Sequence, residues 1–155
     1  MTTTSAAAFV PAGQDIYGQR WGLGVSTMAF KVAGQGEQGL FVLENTFHAQ
    51  GGPARHLHYA QDEWFYVLEG EFIVEVGGEQ FRLRPGDSVL APRRVPHAPA
   101  HVGDAVGRLL VTFSPAGQME AFFRLVTPEN RMPVPDPALW RAYGMEVTGP
   151  PIEIT

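Results

Sequence analysis

The sequence predicts an all-β domain, a sandwich or barrel of short strands followed by one short helix and an irregular proline-rich tail. Three observations predict it. The 155-residue chain has 18 glycines and 13 prolines but only 17% charged residues, which indicates many turns and little exposed helix. Apolar and polar residues alternate through the middle of the chain, the period of half-buried strands. Only one segment, near residue 120, carries a helical repeat.

Taken in order, residues 1–13 have no positively charged start and only a short apolar run. They are expected to form a flexible arm, not a secretion signal. The stretch 17–32 is irregular but carries Trp21, Leu23, Val25 and Phe30, and Leu40 to Phe47 is β-rich. Glu63 to Leu68 is aromatic and β-branched, with Glu69-Gly70 as a turn. Phe72, Val74 and Val76 then alternate with Glu71, Ile73 and Glu75, which puts one apolar face inward. Gly77-Gly78 signals a two-residue hairpin returning through Glu79 to Leu83. Pro85-Gly86-Asp87 is a further turn. Ser88 to Ala91 and Ala105 to Phe113 complete the strands.

Ser114-Pro115 suits a helix cap followed by a first-turn proline. Met119, Phe122, Phe123 and Val126 then form an amphipathic stripe that Pro128 ends. The stripe is expected to pack on the outside of the barrel, a lid being the alternative. The tail has Pro133, Pro135, Pro137, Pro150 and Pro151, yet also Trp140, Tyr143 and Met145. Those apolar groups predict an ordered extension packed on the barrel or on a neighbouring subunit. The expected organisation is one domain: arm 1–13, barrel plus helix 14–127, extension 128–155.

Composition excludes several function classes. Without cysteine there are no disulfides, thiolate metal sites or cysteine nucleophiles. A net charge of −5 with no basic cluster argues against nucleic acid as a partner. No run of about 18 apolar residues is present, so no membrane-spanning helix is expected. A cytoplasmic location fits these features.

Four of the five histidines fall between positions 56 and 101. His56 and His58 share one face if the segment is a strand. Glu63 lies an odd number of residues beyond His58, so Tyr59-Ala60-Gln61-Asp62 must contain a bend if Glu63 is to join them. Phe65 and Val67 would then point inward with it. His97 follows a Pro-Arg-Arg-Val-Pro turn, and a barrel can bring it alongside. Three imidazoles and a carboxylate form a mixed nitrogen and oxygen set for one divalent ion, with iron, manganese, nickel, cobalt, copper or zinc possible. By composition such a set at fixed offsets arises by chance about 3 × 10⁻⁴ times in a chain of this length. His101 shares the His97 face and is a candidate second catalytic group beside Glu63, or equally a satisfied core residue. His48 is read as structural. Arg55, Arg93 and Arg94 read as solvated turn residues, with an anion at the pocket mouth as the alternative.

Gly51-Gly52-Pro53-Ala54-Arg55-His56-Leu57-His58, then Glu63 and Gly70, resembles the first cupin motif, its upstream glycine one residue closer than usual. Gly86, Pro92 and His97 resemble the second, with Arg94 where the family has glycine and His101 where it has asparagine. The short spacing between motifs looks like the compact, mostly microbial form, which implies a bacterial source. The resemblance implies a jelly-roll β-barrel, often a homodimer. It also implies metal ligation by His56, His58, Glu63 and His97, and similarity to quercetin dioxygenase-like cupins. The expected function is a metal-dependent dioxygenase acting on a small aromatic or flavonol-like molecule. Glu63 would bind the ion or take a substrate proton. A metal-dependent isomerase or lyase and a non-enzymatic small-molecule binding module are the alternatives.

Overall fold

A computed structural model describes residues 7–155. Eleven strands and two short helices succeed one another in it. The strands are β1 (Trp21–Gly22), β2 (Ser26–Val32), β3 (Phe41–Phe47), β4 (Arg55–His58), β5 (Asp62–Glu69), β6 (Phe72–Val76), β7 (Glu79–Leu83), β8 (Ser88–Ala91), β9 (His97–His101), β10 (Gly107–Ser114) and β11 (Met145–Gly149). The helices are α1 (Met119–Val126) and α2 (Pro137–Ala142).

The strands form two antiparallel sheets, β1-β2-β3-β10-β5-β8 and β11-β4-β9-β6-β7. Their inner faces follow from the predicted alternation. In β3, Phe41, Leu43, Asn45 and Phe47 are buried, and in β5 Glu63, Phe65 and Val67 are. Aromatic rings fill much of the space between the sheets: Phe30 stacks on Trp21 with centroids 4.6 Å apart, and Phe41 on Phe113 at 5.7 Å. The result is a jelly-roll of two facing sheets. No ladder closes them into one continuous barrel among the described residues.

The expected hairpin at Gly77-Gly78 joins β6 to β7, and both residues have positive φ (59° and 86°), the backbone such a tight connection demands. The segment before β1 is pinned by Asp15, which is buried. Its carboxylate accepts from the backbone N–H of Tyr17, Gln19 and Phe30 and from the indole N–H of Trp21. The expected arm lies partly outside the described residues. Of its described part, Phe9 is exposed, while the carbonyls of Pro11 and Gly13 accept from Lys31 and Arg20.

The structure corrects three expectations around the helices. Ser114 does not cap α1: it ends β10 opposite Asp62, and the helix begins at Met119 with Gln118 at its cap position. The apolar stripe is not laid on the outer surface. Met119 and Phe122 are buried and face into the same internal cavity as the histidines, the lid-like arrangement. The tail is not irregular. Asp136 caps α2 by accepting from the N–H groups of Ala138 and Leu139, Pro137 occupies the first turn, and β11 then pairs with β4.

Candidate metal centre

β4 points His56 and His58 into the molecule, as their spacing of two requires. β4 belongs to one sheet and β5 to the other. The bend at Tyr59-Ala60 carries the chain across, so Glu63 faces inward from the opposite side despite its odd spacing. His97 opens β9, directly paired with His56 of β4. Three imidazoles therefore come from one sheet and the carboxylate from the other. One donor atom from each of these four buried residues lies within 4.8 Å of all the others.

Hydrogen bonds orient the donors. The Nδ1–H of His56 donates to the carbonyl of Ala54 at 2.7 Å, and that of His97 to Val95 at 3.1 Å. Nε2 of His58 and of His97 lie 3.0 and 2.8 Å from Oε1 of Glu63, to which they donate. Burial and the neighbouring His97 and His58 push the His56 imidazole down to about 3, so it is held neutral. Burial alone raises the Glu63 carboxyl, but the hydrogen bonds and charges of His58 and His97 outweigh it and hold the group well below the usual carboxylate range. Burial lowers His97, and the Glu63 carboxylate more than offsets that, leaving its pKa raised.

The donor set suits a divalent ion. Donors about 2.1 Å from an ion stand up to about 4.2 Å apart across it, close to the observed spread. Locking Nδ1 on a backbone carbonyl is the arrangement that presents Nε2 to a metal. The buried Nδ1 of His58 has no partner among the described residues.

The other candidates are placed elsewhere. His101 is buried but not in the cluster. Its ring lies between Phe47 and Phe72, centroids 5.6 and 5.2 Å away, and its Nδ1–H donates to the carbonyl of Ala49. His48 is exposed. Arg55 pairs with Glu75, and Arg93 with Asp62 at 3.1 Å. Arg94 adopts φ 67°, a left-handed conformation that favours glycine, the residue the resembled motif has there. Its N–H donates to the carbonyl of His58 at 2.7 Å, tying that turn to β4.

A cavity of about 80 Å³ adjoins the cluster, lined by His56, His58 and Glu63 and otherwise mostly by aromatic and aliphatic side chains of both sheets, α1 and the tail. Sequence reasoning missed Trp140, whose ring stands 5.3 Å from that of His56, as well as Ser26 and Asn45 in the lining. Asn45 had a signal: it sits at the same strand parity as Phe41, Leu43 and Phe47, a polar residue on an apolar face.

A family model described as a cupin domain matches residues 36–113, just over half of the chain. The chain belongs to the cupin family. Among curated proteins it is similar to MJ1618, an uncharacterized protein of Methanocaldococcus jannaschii, at 31% identity over 55 residues, 36% of this chain and 44% of that protein. It is also similar to 3-hydroxyanthranilate 3,4-dioxygenase of Xanthomonas euvesicatoria, at 34% identity over 67 residues, 39% and 38% of the two chains. The match thus spans less than half the length of either relative. Among solved structures, an RmlC-like cupin from Shewanella frigidimarina aligns with a TM-score of 0.60 and 27% identity, covering 74% of this chain and 96% of that one. Among the described residues no helix is long and apolar enough to cross a membrane.

Proposed function

We propose that this cupin is a metal-dependent dioxygenase-type enzyme acting on a small aromatic molecule with adjacent oxygens. The observation that carries the reading is the convergence of His56, His58, His97 and Glu63 beside a cavity that is otherwise largely apolar. The partial similarity to a ring-cleaving dioxygenase supports it. His56, His58 and His97 would hold one divalent ion through Nε2. A bound ion supplies Lewis acidity toward the paired oxygens, and a redox-active one the electron exchange that dioxygen needs. Glu63 is the carboxylate of the lining and the group placed to take a proton from a substrate hydroxyl, at a carboxylate oxygen. α1 and Trp140 narrow the cavity against water. His101 is neither one of the four donors nor part of the lining, and it has a packing role behind the lining residue Phe47.

The test is metal analysis of the purified protein followed by oxygen uptake with catechols and flavonols on protein reconstituted with each candidate ion. About one ion per chain and uptake dependent on it are expected. His58→Ala should lose the ion. Absence of binding after reconstitution, or an unchanged ion affinity in His58→Ala, would overturn the ligand assignment. Metal binding without uptake on any diol would leave the alternatives of isomerase, lyase or binding module. The family resemblance also carries a homodimer into the proposal, and light scattering should give twice the mass of the 16.9 kDa chain.

A further inference from the structure

Besides Nδ1 of the candidate ligand His58, two buried polar atoms of the cavity lining have no partner among the described residues. They are Oγ of Ser26 and Oδ1 of Asn45, on residues 1% and 9% exposed. They belong to adjacent strands. Ser26 lies opposite Phe47 and Asn45 opposite Met28, so both side chains project from the same inner face of β2 and β3. Both line the cavity that His56, His58 and Glu63 line. An unpaired polar group in an apolar interior destabilises a fold, and its retention calls for a partner the protein itself does not supply.

The charge of the lining is equally informative. Among the described residues no lysine or arginine lines the cavity. The arginines around the strands that carry the candidate ligands are engaged elsewhere, Arg55 with Glu75 and Arg93 with Asp62, while Arg94 lies over the Tyr59 ring. A carboxylate or phosphate carried into this space would lose its hydration with no cation to receive it. A neutral hydroxyl or amide N–H would instead find two acceptors waiting.

We propose that Ser26 and Asn45 form a subsite for a neutral hydrogen-bond donor on the substrate, so that the substrate carries no anionic group away from its metal-chelating oxygens. The inference deepens the proposed function and rests on the same cavity being the substrate site. It sets this chain apart from enzymes whose aromatic substrates or sugar phosphates carry a fixed negative charge. A planar ring would lie among Phe47, Phe65, Phe113 and Phe122, with one edge toward the metal ligands and a hydroxyl toward Ser26 and Asn45.

The test uses nickel-loaded full-length protein under anaerobic titration calorimetry with three probes sharing one diol: 4-methylcatechol, 4-(hydroxymethyl)catechol and 3,4-dihydroxybenzoate. The hydroxymethyl probe should bind about tenfold more tightly than the methyl probe, and the carboxylate at least about tenfold more weakly than it. In Ser26→Ala/Asn45→Leu the hydroxymethyl advantage should fall below about twofold while the methyl probe and the nickel content hold. Carboxylate binding equal to or tighter than methyl, or an advantage retained in the double variant, would overturn the subsite. If no probe binds while nickel remains at one per chain, the diol-chelation reading fails. The subsite is then decided by melting of the metal-free proteins. Removing two unpartnered groups kept for a ligand should raise Tm by about 2–6 °C. A fall or no change would show that they serve the fold and overturn the inference.

Discussion

His56, His97 and Glu63 each titrate away from their ordinary ranges, and together they set how the metal-free protein responds to pH. The His56 pKa is lowered to about 3, so between about pH 6.5 and 3 the unfolded chain binds a proton that the folded one refuses. Stability therefore falls as pH drops through that window, by up to about 1.4 kcal/mol per unit. The raised pKa of His97 works in the other sense. Its contribution is complete below about pH 6.5 and is lost as pH rises through the raised value. The lowered pKa of Glu63 gives a contribution present above about pH 4.5 and lost only in strong acid. Urea denaturation of metal-free protein from pH 4 to 8 should thus show a maximum near about pH 6.5. His56→Leu should flatten the acid limb down to about pH 4.5; an unchanged limb would mean that His56 is not held neutral. The four-residue cluster was legible because its residue types and spacing are rare together. The inward turn of Glu63 was legible only as a condition, since parity along one strand does not say that the chain changes sheets at Tyr59-Ala60. His101 shared the His97 face, but four residues along a strand is about 13 Å, which sets its ring between Phe47 and Phe72 instead of beside Glu63.

At the scale of elements, the tail supports the strand that carries His56 and His58. β11 pairs with β4, placing Met145 opposite His58 and Val147 opposite His56. Trp140 from α2 packs its buried ring against His56 and Phe122. Trp140→Ala should cost about 3–5 kcal/mol by opening a cavity, and it should weaken metal retention because it removes the wall on which the His56 ring rests. Full stability with normal retention, measured by denaturation and elemental analysis, would contradict that support. This part of the fold was the least legible. Its prolines read as irregularity, although Asp136-Pro137 is a helix start and Gly144 precedes a short alternating run. What obscured them was the shortness of both elements, stable only through contacts to residues far away in sequence. α1 was found from its stripe, but Ser114 was assigned a cap when its partner is Asp62 across the β10–β5 ladder.

For the whole molecule, the four candidate donors straddle two sheets that no ladder joins among the described residues, three from one and one from the other. An ion held there fastens the halves of the roll together. With the ion at about 100 times its dissociation constant, binding adds about 2.7 kcal/mol, a rise in Tm of about 5–11 °C over chelator-treated protein. A Tm indifferent to chelation would mean that the ion does not bind the folded state preferentially. The all-β architecture was visible from the period of two and the turn residues. Which strand joins which sheet was not, because alternation marks an inner face without saying which of two facing walls it belongs to.

The seating of Trp140 beside His56 also gives the protein a built-in optical signal. Of the three tryptophans, Trp21 is stacked on Phe30 and Trp64 lies 5.5 Å from Tyr66, its ring on the side of β5 away from Glu63. Only Trp140 touches a candidate ligand ring. Open-shell ions such as copper or nickel should darken its emission, whereas closed-shell zinc should leave it bright, so the colourless apoprotein can report by its own light which kind of ion has entered.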